Sequence, residues 1–226
     1  MTLSLTTLVG LAGTLLAAAY TVPQLRKLRR MSTATGVSIA ALANSTISGV
    51  AWTVFGVLEH EIWVALPAAV AVPATAWAAV LAWLCGGSRE RLWLPVVWAA
   101  AVSLAGLSTL WVGPAVITVV LGCSVAFLVT PAALTAWRSH DVSAIAASAW
   151  AMLIVDALLA GAYGVLADVD ANLIYAAVAT VGSLAILLRI TIPAHVHARL
   201  VPLAVAVDPQ GPLDPDVARD DLSLVA

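Results

Sequence analysis

The sequence predicts an all-α membrane protein with seven transmembrane helices, from its composition, its apolar runs and the distribution of its charges. Of 226 residues, 62% are hydrophobic and 10% are charged, whereas a soluble domain carries about 25% charged residues. Seven apolar runs are each long enough to cross the hydrocarbon core of a bilayer as a helix, which takes about 20 residues. Every lysine and arginine falls on one side of the resulting topology.

The seven predicted spans are separated by short segments rich in turn-forming and charged residues. They cover residues 5–26, 37–58, 62–85, 92–111, 114–137, 143–166 and 170–192. Because these connections are short, consecutive spans must run in opposite directions. We expect the first span to be retained as a helix, since a signal peptide has basic residues before its apolar run, and here the basic cluster comes after it.

The charged residues predict how the spans are oriented. Lysine and arginine follow spans one, three, five and seven, in the stretches 26–30 and 89–91 and at positions 138, 189, 199 and 219. The intervening connections contain acids instead: Glu59, Glu61, Asp168 and Asp170. Basic connections are retained in the cytoplasm, so we expect the N-terminus outside, the C-terminus in the cytoplasm and the chain in the plasma (cell inner) membrane.

A shift of 108 residues aligns residues 1–85 with residues 114–192. Three features then coincide: Pro23 with Pro131, Phe55-Gly56 with Tyr163-Gly164, and residues 68–71 with 176–179. Each part is therefore predicted to be a three-helix repeat. Three crossings alone would leave the second repeat inverted, and the linker helix in residues 86–113 adds the crossing that makes the two bundles parallel.

The last segment, residues 193–226, is predicted to be a mostly disordered cytoplasmic tail. From about residue 203 onward it is rich in proline and aspartate. A segment of that composition cannot offset the entropy of folding by itself. The sequence assigns this tail no function.

The first repeat resembles the PQ-loop signature. The resembling motifs are Thr21-Val22-Pro23-Gln24-Leu25, Thr35-Gly36-Val37-Ser38 and Trp52-Thr53-Val54-Phe55-Gly56. The three-plus-one-plus-three layout is similar to that of SWEET sugar transporters and PQ-loop amino-acid transporters, over about residues 5–192. The second repeat departs from the signature, because Ala132 follows Pro131 where a glutamine is expected. The resemblance implies transport by alternating access, with sugar as the first candidate substrate.

Two prolines and a glutamine are candidates for a hinge or gate. A proline inside a helix removes a backbone hydrogen bond and kinks the helix, and Pro23 and Pro131 occupy equivalent positions of the two repeats. A static kink is the alternative, since membrane helices tolerate proline. Gln24 could bond a backbone carbonyl freed by the kink or face the cytoplasmic gate, and the first of these is favoured.

Five residues are candidates for binding the solute. Trp52 matches the position at which the resemblance implies an aromatic ring against a sugar, and Ser48 and Asn44 lie on the same face of span two. Asn44 could equally make an ordinary interhelical hydrogen bond. Asp156 is an acid in the middle of span six, where ionisable residues are costly and usually functional.

The 108-residue shift places Asp156 on Ser48, which predicts that both face one cavity. There Asp156 could exchange a proton, accept hydrogen bonds from hydroxyls or an ammonium, or serve only as a structural acid. The asparagines expected in the third helix of each repeat are replaced by Ala68 and Ala176. Asn172 could partly substitute for them, although a helix N-terminal residue at the water boundary is its simpler interpretation.

Three functions remain open at this point. The first is a carrier of a small polar solute, and the second a PQ-loop amino-acid transporter with proton coupling through Asp156. The third is a seven-helix sensor; its retinal version is excluded, because Lys27 is the only lysine and lies outside the last span. The sequence predicts no enzyme, cofactor, metal site or nucleic-acid partner. Its expected partners are the solute, the lipid bilayer and, as a further candidate, a second copy of the chain.

Overall fold

In the computed structural model, the described part of the chain is residues 4–31, 33–139, 141–193 and 195–197. The chain divides into two compact units, Met1–Ile192 and Pro193–Ala226. The predicted tail from residue 198 onward, with Arg199 and Arg219, lies outside the described residues. The first unit contains the helices considered below.

The described residues of the first unit form eight helices. They are α1 Leu5–Arg30, α2 Ile39–Leu58, α3 Ile62–Leu84, α4 Trp93–Val112, α5 Ala115–Gly122, α6 Ala126–Arg138, α7 Ala147–Ala167 and α8 Asp170–Thr191. Seven segments of the described residues are long and apolar enough to cross a membrane, with α5 and α6 together forming one of them. The predicted number of spans is confirmed.

Some helix ends differ from the prediction. Helix α1 continues through Arg30 instead of ending at residue 26, so Lys27 and its basic neighbours belong to its last turns. Arginine, lysine and leucine are good helix formers, and positive charge at a helix C-terminus is favourable. Helix α2 begins at Ile39, two residues later than predicted, because Ser38 accepts a hydrogen bond from the Ala41 N–H as its N-cap.

The fifth predicted span, residues 114–137, corresponds to one candidate membrane-spanning segment, Ala115–Arg138, but its helix is interrupted. Helix α5 ends at Gly122 and α6 begins at Ala126. Between them the backbone tightens, and the Ser124 and Phe127 N–H groups bond to carbonyls three residues earlier instead of four. The break directly follows Gly122, whose backbone packs closely against α8. A Cβ at this position would lie 2.9 Å from the Ile174 Cβ.

The same turn joins the second and third spans of each repeat. The Glu61 N–H bonds to the Gly56 carbonyl at 2.8 Å, and the Val169 N–H bonds to the Gly164 carbonyl at 2.9 Å. These two bonds are related by the 108-residue shift. Both glycines let the backbones approach closely, and a Cβ at Gly56 would lie only 2.5 Å from the Ala65 nitrogen. The aromatic-Gly pair therefore marks a shared turn.

The helices of the first unit pack in two groups. Helix α3 packs against α1 and α2, and α8 packs against α5, α6 and α7. Between the two groups, α1 packs on α7 and α2 packs on α6, so the first span of each group meets the second span of the other. Helix α4 packs against α2 and α5, outside both groups.

Candidate functional site

A cavity of about 130 Å³ lies among the spans, and every span except α4 contributes to its wall. Four of the five predicted solute-binding residues line it: Ser48, Trp52, Asp156 and Asn172. Asn44 does not. The structure thus brings together residues that are up to 124 positions apart in the sequence.

Positions related by the 108-residue shift line this cavity in pairs. The pairs are Ala17 with Val125, Tyr20 with Leu128, Ser48 with Asp156, Trp52 with Ala160, Val64 with Asn172, and Pro67 with Tyr175. Apart from Ala17 with Val125 and Ser48 with Asp156, each pair joins a polar or aromatic residue to an apolar one. The wall is therefore regular in position but asymmetric in chemistry.

Asp156 supplies the only carboxylate of the described cavity wall. Its side chain is 8% exposed, and its one hydrogen bond comes from the Tyr175 hydroxyl, 3.3 Å from Oδ2. No lysine, arginine or histidine is among the described lining residues. Burying a carboxylate without a counter-charge is costly. Asp156 is therefore a candidate to bind a proton or a positively charged group that the described wall does not supply.

Aromatic rings form the wall near this acid. Trp52 and Tyr175 lie edge to face with ring centres 6.1 Å apart, and Trp52 and Phe55 do so at 6.0 Å. The Trp52 indole N–H donates to the Ser124 hydroxyl at 2.9 Å. Ser124 stands in the break between α5 and α6, so the tightened backbone helps to fix the ring that faces the cavity.

Helix α4 contacts a residue of the cavity wall through Trp98, which does not line the cavity itself. Its indole N–H donates to the Ser48 hydroxyl at 2.9 Å, and its ring stacks on Phe127 at 4.3 Å. Trp98 is 2% exposed. The linker helix was expected only to restore the orientation of the second repeat, and it also holds Ser48 in place.

Asn44 is fully buried and bonds across the two groups of spans. Its amide nitrogen donates to the Phe127 carbonyl at 2.8 Å. That carbonyl lies four residues before Pro131, which has no N–H to offer it. Asn44 thus occupies the acceptor freed by the proline, which is the interhelical role considered for it from the sequence. Its own Oδ1 has no partner among the described residues.

Asn172 lies in the cavity wall and is 7% exposed. It belongs to the first turn of α8, which begins at Asp170, so it is a buried helix N-terminal residue. Its amide donates to the Ala160 carbonyl at 3.3 Å, which links α8 to α7. The amide oxygen remains free to accept a hydrogen bond from a solute. Asn172 lies four residues before Ala176 and is, from the sequence, a candidate to substitute partly for the asparagine missing there.

Gln24 bonds to the segment that precedes α7, at what we call the basic end, where α1 ends at Arg30. Its amide donates to the Ala144 carbonyl at 3.1 Å, and its carbonyl accepts from the Ala146 N–H at 2.9 Å. Lys27 adds a bond to the Ile145 carbonyl at 2.7 Å. Gln24 does not bond the carbonyl freed by Pro23, which belongs to Ala19, so the favoured expectation for it is wrong.

A second cavity of about 80 Å³ lies toward the basic end, with Gln24 in its wall. It shares four lining residues with the first cavity: Tyr20, Ser45, Thr75 and Leu128. The two cavities therefore meet at a layer formed by these side chains. At the opposite end, which we call the acidic end, the Tyr163 hydroxyl donates to Glu61 Oε2 at 2.7 Å and joins α7 to the start of α3.

Sequence reasoning missed several residues of the site. Tyr20, Tyr163 and Tyr175 all line the cavity, and they are all the tyrosines of the chain. Trp63 and Ser124 line it as well. A signal for the tyrosines was present, because a phenol hydroxyl inside an apolar span needs a partner, and each of the three lies within a predicted span.

The described residues contain no cluster of three His, Cys, Asp or Glu side chains that would suit a metal ion. In comparisons with protein-family models, with curated proteins and with solved structures, no match to this chain was found. Its function must therefore be inferred from its own residues.

Proposed function

We propose that this protein is a membrane transporter that carries a small polar solute across the plasma membrane by alternating access; the resemblance to SWEET transporters makes sugar the first class of solute to test. The moving parts are two parallel three-helix repeats, residues 1–85 and 114–192, joined by the linker helix of residues 86–113. One observation carries the proposal: positions 108 residues apart line the same cavity in pairs. A cavity so placed lies on the axis between the repeats, and rocking one repeat against the other opens it to either side.

Hydrogen bonds between the repeats on both sides of the cavity support this cycle. Gln24 and Lys27 bond to residues 144–146 at the basic end, and Glu61 bonds to Tyr163 at the acidic end. Opening the cavity at either end would break few of the described hydrogen bonds. Pro23 and Pro131 are the proposed hinges, because each deprives its helix of one backbone hydrogen bond.

The basic end is proposed to face the cytoplasm. Lysine and arginine of the membrane-proximal segments are retained on that side, and the four basic residues of the last turns of α1 lie there. The N-terminus of α1 then lies outside. The exposed outer faces of the spans, rich in leucine, valine and tryptophan, suit the lipid bilayer.

Reconstitution in proteoliposomes tests the proposal. Uptake of labelled glucose, sucrose, a panel of amino acids and choline is measured with and without a pH gradient. Accumulation of one of these solutes above that in empty liposomes is expected. If none of them is taken up, the chain is a sensor or another non-transporting protein, and the proposal fails.

A cross-linking experiment tests alternating access itself. In a background in which Cys85 and Cys123 are replaced by serine, Gln24→Cys and Ala144→Cys are joined by a short reducible linker. Uptake should stop on cross-linking and return on reduction, because the repeats must separate at this end.

A control pair within the first repeat, Thr35→Cys with Ser88→Cys, receives the same linker. Residues 34–39 and 85–88 are already joined by backbone hydrogen bonds, so this link should leave uptake unchanged. Equal uptake in both linked proteins would contradict motion between the repeats.

A proton-coupled amino-acid transporter is the second candidate, and Asp156 favours it as the only acid of the cavity. In that case uptake follows the pH gradient and the Asp156→Asn variant loses this dependence while still exchanging solute. If the variant keeps both the rate and the pH dependence of uptake, Asp156 has no part in coupling.

A further inference from the structure

We infer that the cavity selects an organic ammonium cation that carries no carboxylate, such as a quaternary or primary amine. This inference names the solute class of the proposed transporter and so rests on that proposal. It starts from the chemistry of the cavity wall: one acid, several aromatic faces and no basic side chain among the described residues.

The acid supplies the charge for a cation. Asp156 is buried, faces the cavity and accepts a single hydrogen bond, from Tyr175. A carboxylate has about four lone-pair sites, so most of its accepting capacity is unused. Neither cavity brings a basic side chain to it among the described residues. A cationic solute would complete the pair that the chain leaves open.

The aromatic rings supply the second half of the recognition. The five aromatic residues of the wall are Tyr20, Trp52, Trp63, Tyr163 and Tyr175. The face of such a ring attracts a cation within about 6 Å of its centre, and enclosed quaternary ammonium groups are the characteristic ligands. Trp52 and Tyr175 are set nearly perpendicular to each other, and Tyr175 bonds Asp156, so both rings stand close to the acid.

Some hydrogen-bond donors of the wall are already used within the protein. Five of them donate to protein atoms: Trp52 to Ser124, Tyr163 to Glu61, Tyr175 to Asp156, Asn172 to Ala160, and Thr75 to its own helix. The remaining donors of the wall have no acceptor among the described residues; they are the hydroxyls of Tyr20, Ser45, Ser48 and Ser124 and the Trp63 N–H. Charge, and not hydrogen bonding, is therefore what favours a cation over a sugar here, because a sugar carries no charge for Asp156 to attract.

The absence of a basic side chain also separates amines from amino acids. The carboxylate of an amino acid would enter a wall that already holds a carboxylate and offers it no positive partner among the described residues. Like charges in a site of this kind repel. We therefore expect an amine without an acid group to bind better than the corresponding zwitterion.

Binding to the purified full chain in nanodiscs, followed by titration calorimetry, tests the inference with four probes. Choline is the cation, 3,3-dimethylbutan-1-ol is its uncharged isostere, glycine betaine adds a carboxylate, and glucose represents sugars. We expect choline to bind at least about 10-fold more tightly than the other three, which corresponds to about 1.4 kcal/mol or more. Equal or tighter binding of the isostere, betaine or glucose would overturn the inference.

Variants separate the contribution of the acid from that of folding. Asp156→Asn should weaken choline binding by about 10-fold or more, because it removes the negative charge that attracts the cation. The matched control is Asp170→Asn, which removes an exposed acid at the start of α8 and should leave binding unchanged. Trp52→Leu should weaken choline binding while leaving the weak glucose signal unchanged. Full choline binding in the Asp156→Asn protein would refute the assignment.

Uptake distinguishes failure of this inference from failure of the transport proposal. Choline that binds but does not accumulate in proteoliposomes supports the cation site and overturns transport. Glucose uptake without choline binding supports transport and overturns the cation site. Choline uptake that Asp156→Asn removes, with Asp170→Asn unaffected, supports both.

Discussion

The bond between Asn44 and the carbonyl freed by Pro131 gives a prediction that a double-mutant cycle can test. Asn44→Leu removes the amide that donates to the Phe127 carbonyl at 2.8 Å and keeps the number and branching of the side-chain heavy atoms. A buried carbonyl left without a partner costs about 1–3 kcal/mol, whereas interhelical hydrogen bonds in a membrane protein average about 0.6 and reach at most about 1.7 kcal/mol. The replacement also removes Asn44 Oδ1, which has no partner. We expect a net loss of stability of about 1 kcal/mol.

The same replacement should cost less in a Pro131→Ala background. Ala at position 131 restores the N–H that bonds to the Phe127 carbonyl within its own helix, so loss of Asn44 no longer leaves that carbonyl unpaired. The coupling energy should be about 0.5–1.5 kcal/mol, in the range found for groups that share a partner. Reversible unfolding of the four proteins in mixed micelles, followed by circular dichroism, measures it. An equal cost of Asn44→Leu in both backgrounds would refute the reasoning.

Three further predictions concern the turn and the two ends of the cavity. Gly56→Ala should lower the free energy of unfolding by more than about 2 kcal/mol, because the new Cβ would lie 2.5 Å from the Ala65 nitrogen; a change within about 0.5 kcal/mol would contradict the close approach. Tyr163→Phe removes the bond to Glu61 and should speed the labelling of a Val64→Cys side chain in the cavity wall by a membrane-impermeant maleimide, relative to the same cysteine with Tyr163 intact; an unchanged rate would show that this bond does not close the acidic end. Gln24→Leu should slow uptake but leave choline affinity within about threefold, or less than about 0.7 kcal/mol; loss of affinity would place Gln24 in the binding site.

Much of the fold could be predicted from the sequence because a bilayer constrains it so strongly. Apolar length fixes the number of spans. The helix ends were less certain, and α1 shows why: its apolar run ends near residue 26, but the basic residues that follow are good helix formers and extend the helix to Arg30.

The break in span five could not be predicted from hydropathy. This segment has the highest mean hydropathy of the seven, 2.2, so its hydropathy gives no sign of a break in the helix. The interruption depends on the fit of Gly122 against Ile174 on α8 and on the Ser124 hydroxyl meeting Trp52. Both are contacts between segments far apart in the chain, which periodicity within one span cannot show.

Residues of the cavity wall were predictable where the repeat related them to one another. Asp156 was placed beside Ser48 by the 108-residue shift, and both line the same cavity. Asn44 lies on the same face of its helix in the sequence pattern, but its amide is committed to Phe127. Tyr20 and Tyr175 were missed because their equivalents, Leu128 and Pro67, are apolar, so the comparison of repeats did not draw attention to them.

The chemical asymmetry of the cavity has a consequence for the ancestry of the chain. Two copies of the first repeat would surround such a cavity with two Trp52 side chains and no acid, and would attract no cation through charge. Two copies of the second would place two Asp156 carboxylates against each other with no indole, and that pair would repel. Neither half can therefore rebuild this wall as a homodimer. Once the halves had diverged in this way, the site required one copy of each half in the same assembly.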